Sequence, residues 1–338
     1  MKVLVYGSGV IGSYLAHVLC AAGNDVTMLT RGKWKEQLEK NGLRIRHHLQ
    51  QKVTLDHPAV IETIADDQSY DAVFAVMPYN RIGAILEPLA AVHAPLVVLV
   101  GNNMSPVEMR QTILEKTACP KEVLFAFQAT AGKRDLENGT LICERLGTGN
   151  MDIGGLHSLP EKAVQKKLES IFNGSGYRLR WQPDMEAYLI CHLAAVLPIC
   201  YLTYACNGDL RSANGKQRKQ MRLASREAYG MLESQGIQTL PAEDEKYYEP
   251  GIKGTLMQFV YFLMSKTDMG DLIACAHCRN AWEEMEMLDK AFEQVIAKAP
   301  LFPMPNWNKL RKTMPSWEKI REQCGRIPLN RGSQDDRS

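Results

Sequence analysis

The chain opens with Met1-Lys-Val-Leu-Val-Tyr-Gly7-Ser8-Gly9-Val10-Ile11-Gly12, and this stretch decides the fold. Its first part, Lys2–Tyr6, is a short apolar run with the length and composition of a buried parallel strand. Apolar residues then recur at helical spacing, at Ile11, Leu15 and Leu19. A glycine triplet of spacing G-x-G-x-x-G between a strand and a helix predicts a dinucleotide-binding turn.

Each glycine of this turn has its own physical task. Gly7 makes the tight turn out of the strand, Gly9 lets the backbone approach a pyrophosphate, and Gly12 lets helix and strand pack closely. The unpaired N–H groups at the positive end of the helix then bind the phosphates. The sequence therefore predicts cofactor contacts from six consecutive residues: Gly7, Ser8, Gly9, Val10, Ile11 and Gly12.

The end of the second predicted strand, Asp25–Leu29, indicates which dinucleotide binds. A fold that prefers NAD usually has Asp or Glu about 20 residues after the glycines, to hold the ribose 2′-hydroxyl. This chain instead continues with Thr30-Arg31-Gly32-Lys33, which contains no acid. Because a guanidinium suits a phosphate, Arg31 predicts NADP as the cofactor. The alternative is that Arg31 and Lys33 are two solvated loop cations.

Composition narrows the function classes. The 338 residues carry 40 Lys and Arg against 38 Asp and Glu, a net charge of only +2, so we expect no nucleic-acid partner and no anionic membrane surface. No apolar run approaches the roughly 18 residues that span a bilayer, and the first strand leaves no room for a signal peptide. The nine scattered cysteines indicate reduced thiols in a cytoplasmic protein.

The two halves of the chain have different apolar patterns. In the first half strands alternate with helices, which predicts an α/β fold with a doubly wound, mostly parallel sheet. In the second half apolar residues recur with the helical period, which predicts an all-helical domain. We therefore expect a Rossmann-like domain that binds NADP over 1–182, a helical domain for substrate or dimerisation over 183–330, and a disordered tail over 331–338.

One long amphipathic helix is expected in the second half, over 268–299. Its apolar stripe could be buried within the domain or against a second copy in a homodimer. The same segment contains Cys275-Ala-His277-Cys278, which has C-x-x-C spacing. It lacks a second such pair, and a structural zinc needs four ligands, so we expect no metal site and assign these sulfurs to apolar packing. A redox dithiol is the alternative.

Six pieces of the sequence share a family pattern: Gly7–Gly12, Thr30-Arg31-Gly32, Gly101-Asn102-Asn103-Met104, Leu146-Gly-Thr-Gly149, Cys206-Asn207-Gly208-Asp209-Leu210 and Glu283-Glu284-Met285. With these pieces, and with its order of domains, the chain resembles the ketopantoate reductase (2-dehydropantoate 2-reductase) family over nearly its whole length. The resemblance implies an NADPH-dependent oxidoreductase that reduces a 2-oxo acid or related ketone to the alcohol.

The resemblance also implies roles for three residues. Asn102 matches the asparagine that contacts cofactor and substrate in the family. Asn207 matches a residue that contacts the substrate, and Glu284 matches a glutamate that hydrogen-bonds the substrate hydroxyl. The alternative for Asn102 is a plain turn residue, and the alternative for Glu284 is a solvated helix face.

Two departures from the family pattern concern lysines. The family's catalytic lysine lies on the first long helix of the second domain, but this chain has no lysine between Trp181 and Gly215. Its position corresponds to Leu189, Ile190 or His192, depending on the register. A second family lysine, after the third Rossmann strand, corresponds to Met77. A 2-oxo acid or ketone other than ketopantoate is therefore at least as good a candidate substrate.

The missing ammonium needs a replacement, because reduction of a ketone requires a proton donor for the developing alkoxide. An imidazole with its free pKa of about 6.5 can donate a proton at neutral pH. We therefore expect His192 to be the acid, with Glu284 orienting it or the substrate, and His277 is the second candidate. His192 as a core histidine is the alternative. A competing function is a non-catalytic protein that binds NADP and senses its redox state.

Overall fold

The computed structural model of the chain describes residues 1–145, 147–267 and 270–326, without the side chains of 272, 273, 325 and 326. These residues fall into two compact units, of which the first comprises Met1–Met185 and the second begins at Glu186. The tail predicted to be disordered, 331–338, lies outside the described residues.

Within the described residues, the strands all lie in the first unit. They are β1 (Lys2–Tyr6), β2 (Asp25–Leu29), β3 (Leu43–His47), β4 (Lys52–Asp56), β5 (Ala59–Ile61), β6 (Ala72–Val76), β7 (Leu96–Val100), β8 (Glu122–Phe127), β9 (Ala131–Asp135), β10 (Thr140–Glu144), β11 (Asn150–Gly154) and β12 (Arg178–Trp181). Eight of them form one sheet, in the order β12-β11-β8-β7-β6-β1-β2-β5.

The order of the parallel strands identifies the fold class. From β5 through β2, β1, β6 and β7 to β8, every neighbouring pair is parallel, which is the strand order of the doubly wound dinucleotide-binding fold. The edge strand β11 then pairs antiparallel to β8, and β12 pairs parallel to β11. The predicted α/β fold class, a doubly wound sheet followed by a helical region, is confirmed.

The central strands of the sheet are continuous apolar runs. Every residue of β6 and of β7 is buried, as expected for parallel strands that are covered on both faces. The helices of this unit are α1 (Val10–Ala21), α2 (Gly32–Asn41), α3 (Tyr79–Ile82), α4 (Leu86–Ala91), α5 (Pro106–Lys116) and α6 (Lys162–Phe172). A second sheet, of order β4-β3-β10-β9, packs against α1.

The second unit is helical. Its helices are α7 (Met185–Ala205), α8 (Gly215–Ser234), α9 (Ile252–Met264), α10 (Ala276–Asn280), α11 (Trp282–Ala297), α12 (Pro305–Arg311) and α13 (Trp317–Arg326), with a π-helical turn at Asp271–Cys275. The single helix predicted over 268–299 is wrong, because the chain leaves helical geometry at Ala281, with φ −120° and ψ 34°. Apolar residues keep the helical period on both sides of this break, so the pattern alone does not reveal it.

One helix corrects the expectation that no apolar run approaches membrane length. Helix α7 has 21 residues and a mean hydropathy of 1.7, enough by length and composition to cross a bilayer. In the structure, 67% of its apolar window is buried. This degree of burial is the property of a helix at the core of a folded domain.

Candidate functional site

Two glycines of the first turn are required by the backbone geometry. Gly7, directly after β1, has φ +108°, and a Cβ there would lie 2.3 Å from the carbonyl oxygen of Val76. A Cβ on Gly12 would lie 1.9 Å from the carbonyl oxygen of Gly7. No side chain fits at either distance, so both positions need glycine for the strand, turn and helix to pack.

Gly9 is glycine for a different reason. Its backbone is extended, with φ −63° and ψ −171°, and a Cβ there would have no atom within 4 Å. Gly9 caps α1 without a side-chain hydrogen bond, and the first turn of α1 contains no acid. The N–H groups that begin a helix therefore face open space at its positive end, which is the arrangement of a phosphate site.

The other residues of the turn fix it to the sheet. The Ser8 hydroxyl is hydrogen-bonded to the Thr30 hydroxyl at the end of β2, and the Ser13 hydroxyl donates to the Ser8 carbonyl oxygen at 3.0 Å. Val10 and Ile11 are half-buried and pack on the core of the unit. These contacts therefore hold the turn against the sheet and the core of the unit.

Arg31 lies at the end of the next strand, next to a cavity. It follows β2 and is exposed, and among the described residues it forms no ion pair. The cavity, of about 240 Å³, is lined by Tyr6, Leu29, Arg31, Glu62 and His93 among others. Burial raises the pKa of the Tyr6 hydroxyl, and the nearby charge of Arg31 opposes that rise. A free guanidinium therefore stands beside the ends of β1 and β2.

Asn102 lies at the same edge of the sheet, after β7. The preceding Gly101 has φ +140°, and a Cβ there would lie 3.0 Å from the carbonyl oxygen of Met77, which follows β6. The Met77 sulfur would lie 3.2 Å from a Cβ on Gly7. The structure thus brings the glycine turn, Met77 and Asn102 together at the carboxyl ends of β1, β6 and β7, where doubly wound sheets bind ligands.

In the second unit, two histidines and Glu284 form a cluster. His277, on α10, places its Nε2 atom 3.7 Å from Oε2 of Glu284, in the first turn of α11. Glu284 is 4% exposed, so the alternative that it belongs to a solvated helix face is wrong. The side chain of His277, by contrast, is 48% exposed.

His192, on α7, interacts electrostatically with this cluster. Burial, and to a smaller extent the charge of His277, lowers the pKa of His192 to about 4. Its ring lies parallel to that of Tyr188, with 6.5 Å between the centroids. The expectation that His192 keeps its free pKa therefore fails, because an imidazole with this pKa is neutral at pH 7.

Asn207 stands apart from the histidines. It follows the end of α7 in an exposed turn and has φ +52°. Thirteen residues of helix separate His192 from the end of α7, which is a distance of about 20 Å along the helix axis. The turn is held by Arg279, whose Nη1 donates to the Gly208 carbonyl oxygen at 2.6 Å while its Nη2 pairs with Asp271 at 2.7 Å. The sequence analysis missed Arg279, because no local pattern links it to a turn 71 residues earlier.

The cysteine pair does not have the chemistry of a reactive dithiol. Cys275 and Cys278 are both buried, and burial raises the pKa of the Cys275 thiol, whereas a reactive thiol has a lowered pKa. Cys275 accepts a hydrogen bond from the Leu210 N–H group at 3.4 Å. Within the described part of the chain, no three His, Cys, Asp or Glu side chains are arranged to hold a metal ion.

Comparison with known proteins gives one match to a family model and several solved structures with the same fold. Residues 3–157 match the family model described as ketopantoate reductase PanE/ApbA. A curated relative is the uncharacterized oxidoreductase YkpB of Bacillus subtilis (strain 168), 33% identical over 100 residues. This match covers 29% of the present chain and 32% of YkpB, so it spans about a third of that relative.

Three solved structures share the fold over almost the whole chain. D-mandelate dehydrogenase in a ternary structure with NADH and anilino(oxo)acetate has a TM-score of 0.71 and 12% identity, covering 96% of this chain and 99% of its own. A PanE/ApbA family ketopantoate reductase from Ralstonia eutropha JMP134 has a TM-score of 0.70 and 16% identity, and the match covers 96% of this chain and 100% of that one. The 2-dehydropantoate 2-reductase of Geobacter metallireducens GS-15 has a TM-score of 0.69 and 16% identity, and the match covers 93% of this chain and 98% of that one.

Proposed function

We propose that this chain, whose residues 3–157 match the ketopantoate reductase PanE/ApbA family model, is an NADPH-dependent oxidoreductase that reduces a 2-oxo acid or related ketone to the alcohol. The observation that carries the proposal is the turn before α1. Gly9 leaves open space in front of a helix start that has neither a capping side chain nor an acid in its first turn. A dinucleotide pyrophosphate fits such a site.

The preference for NADP over NAD is proposed from Arg31. The Arg31 guanidinium would donate a charge-assisted hydrogen bond to a 2′-phosphate. No existing ion pair has to be broken for this contact, because Arg31 forms none among the described residues. Glu62 and Asp66, which line the same cavity, are the acidic groups that could instead favour a 2′-hydroxyl. The NADH in the similar D-mandelate dehydrogenase structure makes NADH the necessary comparison.

NADPH, when bound, supplies the hydride that reduces the carbonyl carbon. The protein's part is to position the substrate and to supply a proton to the carbonyl oxygen. We assign the proton to His277, because its side chain is accessible and lies beside the Glu284 carboxylate. Neutral His192 would donate a hydrogen bond without changing its charge. Asn102 would orient the nicotinamide. Asn207, about 20 Å along α7 from His192, would contact the substrate only away from the reacting carbonyl group.

A non-catalytic protein that binds NADP and senses its redox state is the second candidate. The observation that favours it is the lack of a lysine on α7, where the corresponding positions include Leu189, an apolar residue that is 2% exposed. Such a protein would keep the turn before α1 and would not need the cluster of His192, His277 and Glu284. We further propose a cytoplasmic location from the nine scattered cysteines, and no membrane or nucleic-acid partner from the net charge of +2.

The test is a screen of 2-oxo acids and simple ketones, including ketopantoate, in which NADPH oxidation is followed optically with NADH in parallel. Calorimetry measures the binding of each nucleotide without substrate. Turnover with NADPH supports the enzyme. Binding of a nucleotide without turnover on any substrate supports the sensor. Absence of binding by both nucleotides would remove both candidates.

A further inference from the structure

Helix α9 exposes a continuous apolar stripe. Ile252 is 91% exposed, Leu256 54%, Phe259 57% and Phe262 44%. Their spacing of four, three and three residues places them on one side of the helix, so each side chain adjoins the next. A contiguous apolar patch of a few hundred Å² is about the largest that a typical monomer exposes, and such patches often serve in binding. We call these four side chains the α9 stripe.

The composition of α9 agrees with burial on both sides. Its inner side, with Gly254, Tyr261 and Met264, is buried within the second unit. In all thirteen residues of the helix, Lys253 is the single charged residue. A surface helix of a globular protein normally has a polar outer side, whereas a helix that is apolar all round is normally covered.

The surroundings of the stripe argue against a lipid surface. The segment that precedes α9 carries four exposed or half-exposed acids, Glu243, Asp244, Glu245 and Glu249. The charge of Lys253 is already paired, because its Nζ lies 2.7 Å from Glu243 Oε2. Helices that bind anionic bilayers need an excess of free basic residues beside the apolar side, and an acidic border opposes such binding.

We propose that the α9 stripe is the contact surface between two copies of this chain, related by a two-fold axis near Leu256 and Phe259. A two-fold axis across a helix pairs it antiparallel with its copy, so Ile252 of one chain would lie opposite Phe262 of the other. An apolar stripe is self-complementary in this arrangement, which closes after two copies and leaves no open surface for further growth.

The area is sufficient for such a dimer. From the exposed fractions of the four side chains, each copy would bury roughly 450 Å² of apolar surface, since an aromatic side chain alone covers about 150–250 Å². The exposed polar neighbours Thr255, Gln258 and Lys266 would form the rim on each copy. Two such surfaces, core and rim together, reach the lower end of the roughly 1,200–2,000 Å² of stable interfaces.

The experiment measures mass in solution by light scattering and by sedimentation velocity, at micromolar concentration and without cofactor or substrate. We expect about twice the chain mass of 38.0 kDa. Phe259→Glu places a charge at the centre of the interface and should raise the dissociation constant by at least about thirty-fold, as for a central hot spot. The matched control is Leu301→Glu, at an apolar residue that is 96% exposed outside α9, and it should stay dimeric.

Circular dichroism and the melting temperature show whether the Phe259→Glu variant is folded, and the milder Phe259→Ser variant, which should also weaken the dimer, covers the case in which it is not. A monomeric wild-type chain overturns the proposal, and so does a dimer that survives both variants. Sedimentation of the wild-type chain with anionic vesicles, lost in Phe259→Glu, would assign the stripe to a lipid surface and also overturn it. The result does not depend on the proposed enzymatic activity.

Discussion

Oε2 of Glu284 lies 3.7 Å from Nε2 of His277, although the two residues are seven positions apart in the chain. On an unbroken helix seven residues rise by about 10 Å, too far for this contact. The interruption at Ala281 brings the start of α11 back towards the end of α10. The expected long helix would therefore have separated the acid from the base, and the break unites them.

This contact predicts that His277 and Glu284 act together in proton transfer. We expect His277→Gln and Glu284→Gln each to lower kcat by roughly 10²-fold, the usual contribution of a general acid, with an unchanged dissociation constant for NADPH. The double variant should lose little more than either single one, because both side chains serve one step. Steady-state kinetics with calorimetric cofactor binding measures both quantities.

Glu283→Gln is the matched control for this prediction, since it removes a carboxylate one residue away in the same helical turn. It should retain wild-type kcat. His192→Ala gives a further discrimination, because loss of a neutral hydrogen-bond donor should lower kcat without moving the acidic limb of the pH profile. Full activity in His192→Ala would remove His192 from the mechanism.

The turn before α1 predicts opposite outcomes for two glycine substitutions. In Gly9→Ala the new Cβ meets no protein atom within 4 Å, so the melting temperature should be unchanged while NADPH binding weakens by at least tenfold. In Gly12→Ala the Cβ would lie 1.9 Å from the Gly7 carbonyl oxygen, so stability and binding should fall together. Thermal unfolding and calorimetry on both variants check this.

Gly83→Ala provides the neutral control, because a Cβ at Gly83 also meets nothing within 4 Å and Gly83 lies away from the turn, after α3. It should bind NADPH as tightly as the wild type. If Gly9→Ala binds NADPH equally well, the space in front of α1 does not hold a pyrophosphate, and the cofactor site must be sought elsewhere.

The first part of this fold was readable from the sequence because its signals are local. The strand Lys2–Tyr6 is an apolar run bounded by glycine, and the predicted bounds agree with those of β1. The short strands β9 and β12 were not predicted, since their sequences, Ala-Gly-Lys-Arg-Asp and Arg-Leu-Arg-Trp, contain several charged residues. They form because β10 and β11 offer them hydrogen-bonding edges, which only the tertiary structure provides.

In the candidate site, too, some residues follow from local sequence patterns and others depend on tertiary contacts. The glycine turn and Arg31 follow from spacing along the chain, and the geometry at Gly7 and Gly12 gives the physical reason for that spacing. The low pKa of His192 depends on burial and on His277, 85 positions later in the numbering, so no local pattern could reveal it. Chemistry that depends on contacts between distant segments is what the sequence leaves open.

Arg31 predicts the choice between the two nicotinamide nucleotides. Loss of one guanidinium–phosphate interaction costs about 1.5–3 kcal/mol, so Arg31→Ala should weaken NADPH binding by roughly 10- to 100-fold and leave NADH binding nearly unchanged. The control is Lys35→Ala, which removes a nearby cation that is already engaged with Glu39 and Glu62. Equal losses for both nucleotides in Arg31→Ala would show that Arg31 does not read the 2′-phosphate.

A final prediction concerns His47, which is fully buried at the end of β3. Its Nδ1 lies 3.0 Å from Nη2 of Arg145, which can only donate, and its Nε2 lies 2.8 Å from the Thr54 hydroxyl. Burial, followed by the charges of His17 and Arg145, lowers the pKa of His47 to about 4. Protonation would place a second cation beside a buried guanidinium.

The sign of the pH effect follows from this lowered pKa. Between about pH 6.5 and pH 4 the unfolded chain binds a proton at position 47 that the folded chain does not, so the free energy of unfolding decreases as the pH falls through this range. The contribution is fully present above pH 6.5, and about 2 kcal/mol of it should be lost by pH 5. His192 adds an effect of the same sign in the second unit.

His47→Gln isolates the contribution of the first unit, because an amide oxygen still accepts from Arg145 and does not titrate. We expect the variant to be less stable than the wild type at pH 7, with a shallower loss of stability between pH 7 and pH 5. Hydrogen exchange at the amides of β3, in both proteins at both values of pH, measures the difference locally. The control is His157→Gln, at a side chain that is 60% exposed, and it should lose stability with falling pH as steeply as the wild type. If the pH dependence of its stability becomes equally shallow, the effect comes from the loss of any histidine charge and not from burial of His47.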